Sequence, residues 1–110
     1  MTRMMMAAVA LVGCGQDAAV LALKADAAAG KTAYLANCAR CHGPDGKGNQ
    51  SGPSLIETAK KEPKGELVLS VINGYEAKPP STLSMPAFGK ELTNQQIADV
   101  VEYVKVTFGN

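Results

Sequence analysis

Cys38-Ala39-Arg40-Cys41-His42 puts two thiols and an imidazole within about one turn of chain. Two residues between the cysteines suit the separation of the two vinyl groups of a haem, and the next position reaches the iron from one side. The pattern is specific because its five positions are constrained together. Three other chemistries use a Cys-x-x-Cys pair. A thioredoxin-like dithiol needs a βαβ setting, and no alternating strand pattern flanks this one. Structural zinc needs four ligands, but there is no second cysteine pair and His42 is the only histidine. A structural disulfide would explain neither His42 nor the loop behind it. The motif predicts one covalent haem on Cys38 and Cys41, with His42 as a ligand of its iron.

Outward from the motif the pattern is helical. Ala33, Tyr34, Leu35 and Cys38 form a modest apolar stripe over Gly30 to Ala39. Residues 43–54 are dense in Gly, Pro, Asp, Asn and Ser and read as loop. A helix is expected after Pro53, through Leu55 and Ile56 to Lys61. Another runs from about Pro63 to Ile72 and stops at Asn73-Gly74. Residues 75–90, with Pro79, Pro80, Pro86 and Gly89, read as irregular chain. Thr93 with Gln96 makes a capping box, and Ile97, Val100, Val101, Val104 and Phe108 follow at the spacing of a buried helical face. The expected class is all-α with long loops.

A second axial ligand follows by elimination. A second histidine does not exist, and of five methionines four (Met1, Met4, Met5, Met6) lie in the first six residues. Met85 remains, in the Pro-flanked run Ser84-Met85-Pro86-Ala87-Phe88-Gly89 rather than on a helical stripe. His/Met ligation raises the reduction potential of haem iron. It also closes the sixth position, which argues against oxygen chemistry and against an enzyme.

The N-terminus reads as a targeting segment. Arg3 precedes the uncharged run Met4 to Gly13, which is too short to span a bilayer as a helix. Leu11-Val12-Gly13-Cys14 resembles the lipobox of bacterial lipoproteins, in which the chain is cut before the cysteine and the sulfur carries a lipid. Ala25-Asp26-Ala27 offers an ordinary small-x-small cleavage site as the alternative. The expected organisation is a signal peptide over 1–14, an Ala-rich tether over 15–29 and one domain over 30–110. The protein is then exported to the periplasm or the outer face of the cytoplasmic membrane, lipid-anchored through Cys14.

Composition agrees with one cofactor-filled domain. At 110 residues, with two Phe, three Tyr and no Trp, the chain has few large side chains to fill a core. Eleven basic residues face ten acidic ones, and loss of Arg3 leaves ten against ten. Such balance excludes the one-sided basic field of nucleic-acid binding. Lys60, Lys61 and Lys64 form the one local cluster of basic residues and read as a solvated helix end.

Over residues 28 to 109 the chain resembles the small monohaem cytochromes c of class I, in their bacterial form. The resemblance implies N- and C-terminal helices that cross, and long loops wrapping one haem. Gly30 and Tyr34 stand eight and four residues before the first haem cysteine, as in that family, with Val100 and Tyr103 in the places of their C-terminal partners. Gly52-Pro53-Ser54-Leu55 matches the family's Gly-Pro-x-Leu, which implies that Pro53 offers its carbonyl to the second nitrogen of His42. The Met-Pro-x-Phe-Gly run from Met85 matches the distal loop. The family further implies an iron-dependent electron carrier, monomeric, that serves a terminal oxidase, a bc-type complex or a periplasmic reductase. Asn73 and Tyr75 either contact a haem propionate or only end a helix.

Overall fold

Gly15–Leu21 forms the first helix, α1, within the stretch that composition assigns to a tether. It is seen in a computed structural model that describes residues 15–80 and 82–110. Val20 of α1 is 1% exposed, so the helix is seated on the domain by its apolar side. Asp26 then caps α2 (Ala27–Asn37), its carboxylate accepting from the N–H groups of Ala28 and Ala29. That cap starts the helix three residues before Gly30, where the apolar stripe alone would begin it. Residues 15–29 are therefore folded over most of their length.

The motif itself makes the short α3 (Ala39–His42). After the loop over residues 43–55 come α4 (Ile56–Lys61) and α5 (Lys64–Asn73), with Pro63 before α5 and Gly74 after it. The last helix, α6 (Asn94–Phe108), opens on the Thr93/Gln96 capping box expected from the sequence. Among the described residues there is no strand; two isolated bridges join Asn49 to Gly52 and Tyr75 to Met85. No helix among them is long and apolar enough to cross a membrane.

α6 is the spine. It packs most extensively on α2 and also carries α1, α4 and α5. The α2–α6 crossing is close because Gly30 has no side chain: a Cβ there would lie 1.9 Å from the Asp99 carbonyl oxygen and 2.9 Å from the Cβ of Tyr103. The nearest atoms at the crossing are the Asp99 carbonyl and the Cβ of Tyr103, and Val100, next in the chain after Asp99, is buried at 1% exposure. Tyr34, Tyr103 and Phe108 form a mutual cluster with ring centroids 5.4, 5.4 and 5.7 Å apart. Such pairs add ~0.5–1.5 kcal/mol each beyond their buried area. Tyr34, Ile97, Val20, Val68 and Val100 are the largest fully buried side chains, the aliphatic ones each worth ~1.5–3 kcal/mol of transfer energy.

Polar side chains fix the helix ends. Asp99, 6% exposed, accepts from the Asp26 N–H and from Gln95 Nε2, both at 2.8 Å. Lys105 Nζ donates to the carbonyls of Ala59 and Glu62 at the end of α4. Of the lysine cluster, Lys64 is paired with Glu102 on α6.

Candidate functional site

Cys38 closes α2, its N–H bonded to the Tyr34 carbonyl at 2.8 Å. The next turn, α3, brings Cys41 and His42 round on the same Cys38 carbonyl, at 3.2 and 3.0 Å. Gly43 ends α3 at φ +83°, a left-handed conformation that other residues reach only with strain. The chain then folds back: Gly48 N–H donates to the His42 carbonyl at 2.7 Å, and Asn49 Nδ2 to the Arg40 carbonyl at 3.0 Å. Gly52 lies so close beneath the motif that a Cβ would stand 2.7 Å from the Cys41 carbonyl oxygen.

This fold-back sets Pro53 against the imidazole. His42 Nδ1 donates to the Pro53 carbonyl at 2.8 Å. A carbonyl only accepts, so a proton is on Nδ1, and in the neutral ring the lone pair is on Nε2. His42 is 9% exposed, and its Nε2 makes no hydrogen bond among the described residues. An imidazole held in one orientation through its other nitrogen is the usual form of a histidine metal ligand. The two cysteines are free thiols. Burial pushes the Cys38 thiol up to about 11, nearby Cys41 adds to this, and Arg40 opposes it.

Two contacts of this turn escape sequence reasoning. The Tyr34 hydroxyl donates to the Gly43 carbonyl at 2.6 Å, tying α2 to the end of the motif. Burial, above all, raises its pKa well beyond the usual phenol value of 10.0, with smaller contributions from Cys38, Tyr103 and Asp45. The Phe108 ring lies under Gly46, where a Cβ would come within 2.8 Å of it. The spacing of Tyr34 from the cysteines marks it as core, but nothing in the sequence says where its hydroxyl goes.

Met85 is held from the other side of the chain. Its backbone exchanges two hydrogen bonds with Tyr75, at 2.9 and 2.7 Å. Gly74, at φ +69°, passes so close that a Cβ would lie 2.5 Å from the Met85 carbonyl oxygen. Beyond it, Phe88 and Gly89 donate their N–H groups to the Val71 and Ile72 carbonyls at 2.8 and 3.1 Å. Met85 is partly buried. Asn73 closes α5, and Tyr75, 56% exposed, has Lys78 Nζ 5.8 Å from its ring centroid. Cys14 lies outside the described residues.

The donor set suits haem and not a bare ion. Among the described residues no group of three or more His, Cys, Asp or Glu could hold a metal. What the turn offers is one oriented imidazole with two unpaired thiols, the set that a covalent haem takes up.

The profile of the cytochrome c family matches residues 27–107. The chain belongs to the cytochrome c family. It is accordingly a carrier of covalently bound haem c and its iron, and works in electron transfer. This cytochrome is 39% identical to cytochrome c6 of Rippkaea orientalis, over 76% of its own length and 72% of that protein's. It is 38% identical to the fructose dehydrogenase cytochrome subunit of Gluconobacter japonicus, over 74% of its length but only 19% of the subunit's. The chain thus spans about a fifth of that dehydrogenase subunit. Among solved structures it resembles cytochrome c6 of the diatom Phaeodactylum tricornutum, with a TM-score of 0.56 at 29% identity, covering 74% of this chain and 92% of that one. The helix α1 lies wholly before the part of this cytochrome that the family profile matches.

Proposed function

We propose that this cytochrome is a six-coordinate one-electron carrier, with thioether bonds from Cys38 and Cys41 and iron ligation by His42 and Met85. The observation that carries the reading is the 2.8 Å bond from His42 Nδ1 to the Pro53 carbonyl, which leaves Nε2 as the nitrogen available to iron. That bond holds the ring in one orientation and makes the imidazole a stronger donor. Met85 is supported by elimination and by its setting: it is the one methionine outside the first six residues, and its backbone is pinned on both sides to Tyr75. When bound, the haem supplies a single reversible electron step. With both axial positions filled by the chain, no position is left for a substrate, so the role is carriage and not catalysis.

The leader supports export, and the lipobox-like end at Cys14 supports a lipid anchor on the outer face of the cytoplasmic membrane. A monomer there would meet its partners in brief encounters of small area. A terminal oxidase, a bc-type complex or a periplasmic reductase fits as acceptor. The likeness to a fructose dehydrogenase cytochrome subunit favours a dehydrogenase as the source of electrons.

An optical and redox titration of the haem-loaded protein with Met85→Ala tests the ligand set. The haem should stay attached while the weak sulfur-to-iron absorption band disappears and cyanide gains access. The potential should fall by a tenth or more of the ~0.8 V range that axial ligands command. An unchanged potential would sink the assignment. For the anchor, Cys14→Ser should move the protein from the membrane to the soluble fraction, and continued membrane association would count against lipidation.

A further inference from the structure

Gln16 lies on α1, outside the family match, and yet reaches the loop that carries Met85. Its Nε2 donates to the Gly89 carbonyl at 2.6 Å and to Asn94 Oδ1 at 3.2 Å. Gly89 is four residues beyond Met85, and its own N–H is bonded to the Ile72 carbonyl. The peptide groups flanking this one residue are therefore held from both sides, by α5 within the domain and by α1 from outside it. Asn94 is the first residue of α6, so the same amide also joins the end of the distal loop to the spine. Val20, fully buried one turn further along α1, holds the helix in the place that the amide needs.

We propose that Gln16 is a positioning residue for Met85, acting through the Gly89 carbonyl. The inference rests on the reading of Met85 as the sixth ligand. A thioether ligand is lost when its loop swings away, and the fraction of time spent open sets how tightly an outside ligand binds the iron. A side-chain bond that holds the loop end lowers that fraction. By this route the N-terminal segment, the part next to the membrane anchor, governs how firmly the iron is closed.

Imidazole is the probe, titrated optically into the full haem-loaded ferric chain. Gln16→Glu keeps the shape of the side chain but at neutral pH has no proton to give, so it faces two acceptors with a third. It should tighten imidazole binding roughly fivefold, the weight of one or two ordinary hydrogen bonds. Lys105→Met is the matched control, because it removes a similar pair of side-chain-to-carbonyl bonds at the far end of α6, ~16 Å along the helix. It should lower thermal stability and leave imidazole affinity unchanged. In a Met85→Ala background the effect of Gln16→Glu should vanish, since no thioether remains to be displaced. The proposal is overturned if Gln16→Glu binds imidazole as the parent does, or if Lys105→Met shifts affinity equally. If Met85→Ala alone fails to tighten imidazole binding, the ligand reading itself falls and takes the clamp with it.

Discussion

The loop from Gly43 to Pro53 and the loop from Gly74 to Gly89 carry the residues proposed to support and to ligate the iron, Pro53 and Met85, but they are held by different kinds of bond. The first is mostly tied to itself and to the turn before it. Its bonds run from Gly46 to Gly43, Gly48 to His42, Asn49 to Gly52, Asn49 to Arg40 and His42 to Pro53, none spanning more than eleven residues. The second loop is closed on itself only where Tyr75 pairs with Met85, and otherwise leans on its surroundings: Phe88 and Gly89 on α5, and Gly89 again on Gln16, 73 residues away in sequence. A loop closed by short-range contacts forms at little cost in chain entropy, whereas one fixed by distant partners depends on their packing. The side that holds His42 should therefore be set early and firmly, and the side that holds Met85 should be the adjustable one.

Paired alanine substitutions at one closely packed glycine beside each loop's ligand break this comparison most sharply. Gly52→Ala would drive a Cβ against the Cys41 backbone, 2.7 Å from its oxygen and 3.1 Å from its carbonyl carbon. Overpacking of that sort costs ~1–3 kcal/mol or more, here spent on the geometry of the attachment turn. The expected result is the larger effect of the two, a steep loss of haem-loaded protein, read by haem stain against total protein. Gly74→Ala carries a left-handed φ, a strain of ~1–2 kcal/mol for any other residue, and a contact 2.5 Å from the Met85 oxygen. Haem should attach in normal yield there, while the sulfur-to-iron band weakens and the potential drops toward that of Met85→Ala. Equal haem yields in the two variants would erase the distinction between the loops.

The difference between the loops also separates what the sequence reveals from what it hides. The motif, the helix around Tyr34, the capping box at Thr93 and the close crossing at Gly30 are legible because each depends on residues near one another in sequence or on a family spacing. Pro53 behind His42 is legible only through the resemblance, since a backbone carbonyl leaves no side-chain signature. The alanines before Gly30 favour an extension of α2, but its exact start and the seating of α1 are not legible. Asp26 reads as part of an Ala-rich run until its carboxylate is seen capping the helix, and Val20 is one apolar residue among many alanines until α5 and α6 give it a seat. The Gln16 bond was hidden for the same reason: its acceptor is a backbone carbonyl 73 residues on, which no local pattern encodes.

Tyr34 is the main bond that the first loop borrows from outside, and it gives the smallest and most pH-specific effect. Its hydroxyl is buried on the Gly43 carbonyl, and burial raises its pKa well above 10.0. The folded protein therefore keeps a proton that the unfolded chain gives up. The resulting stabilisation is present in full below pH 10 and is lost as pH climbs from there toward the folded value. Tyr34→Phe removes the donor and leaves the carbonyl unpaired, so stability at neutral pH should fall by ~1 kcal/mol. Above pH 10 the variant should lose stability less steeply than the parent, and the two denaturation midpoints should converge as pH rises. Parallel curves across that range would mean that the phenol is not protected, and that the first loop is held by its own short bonds alone.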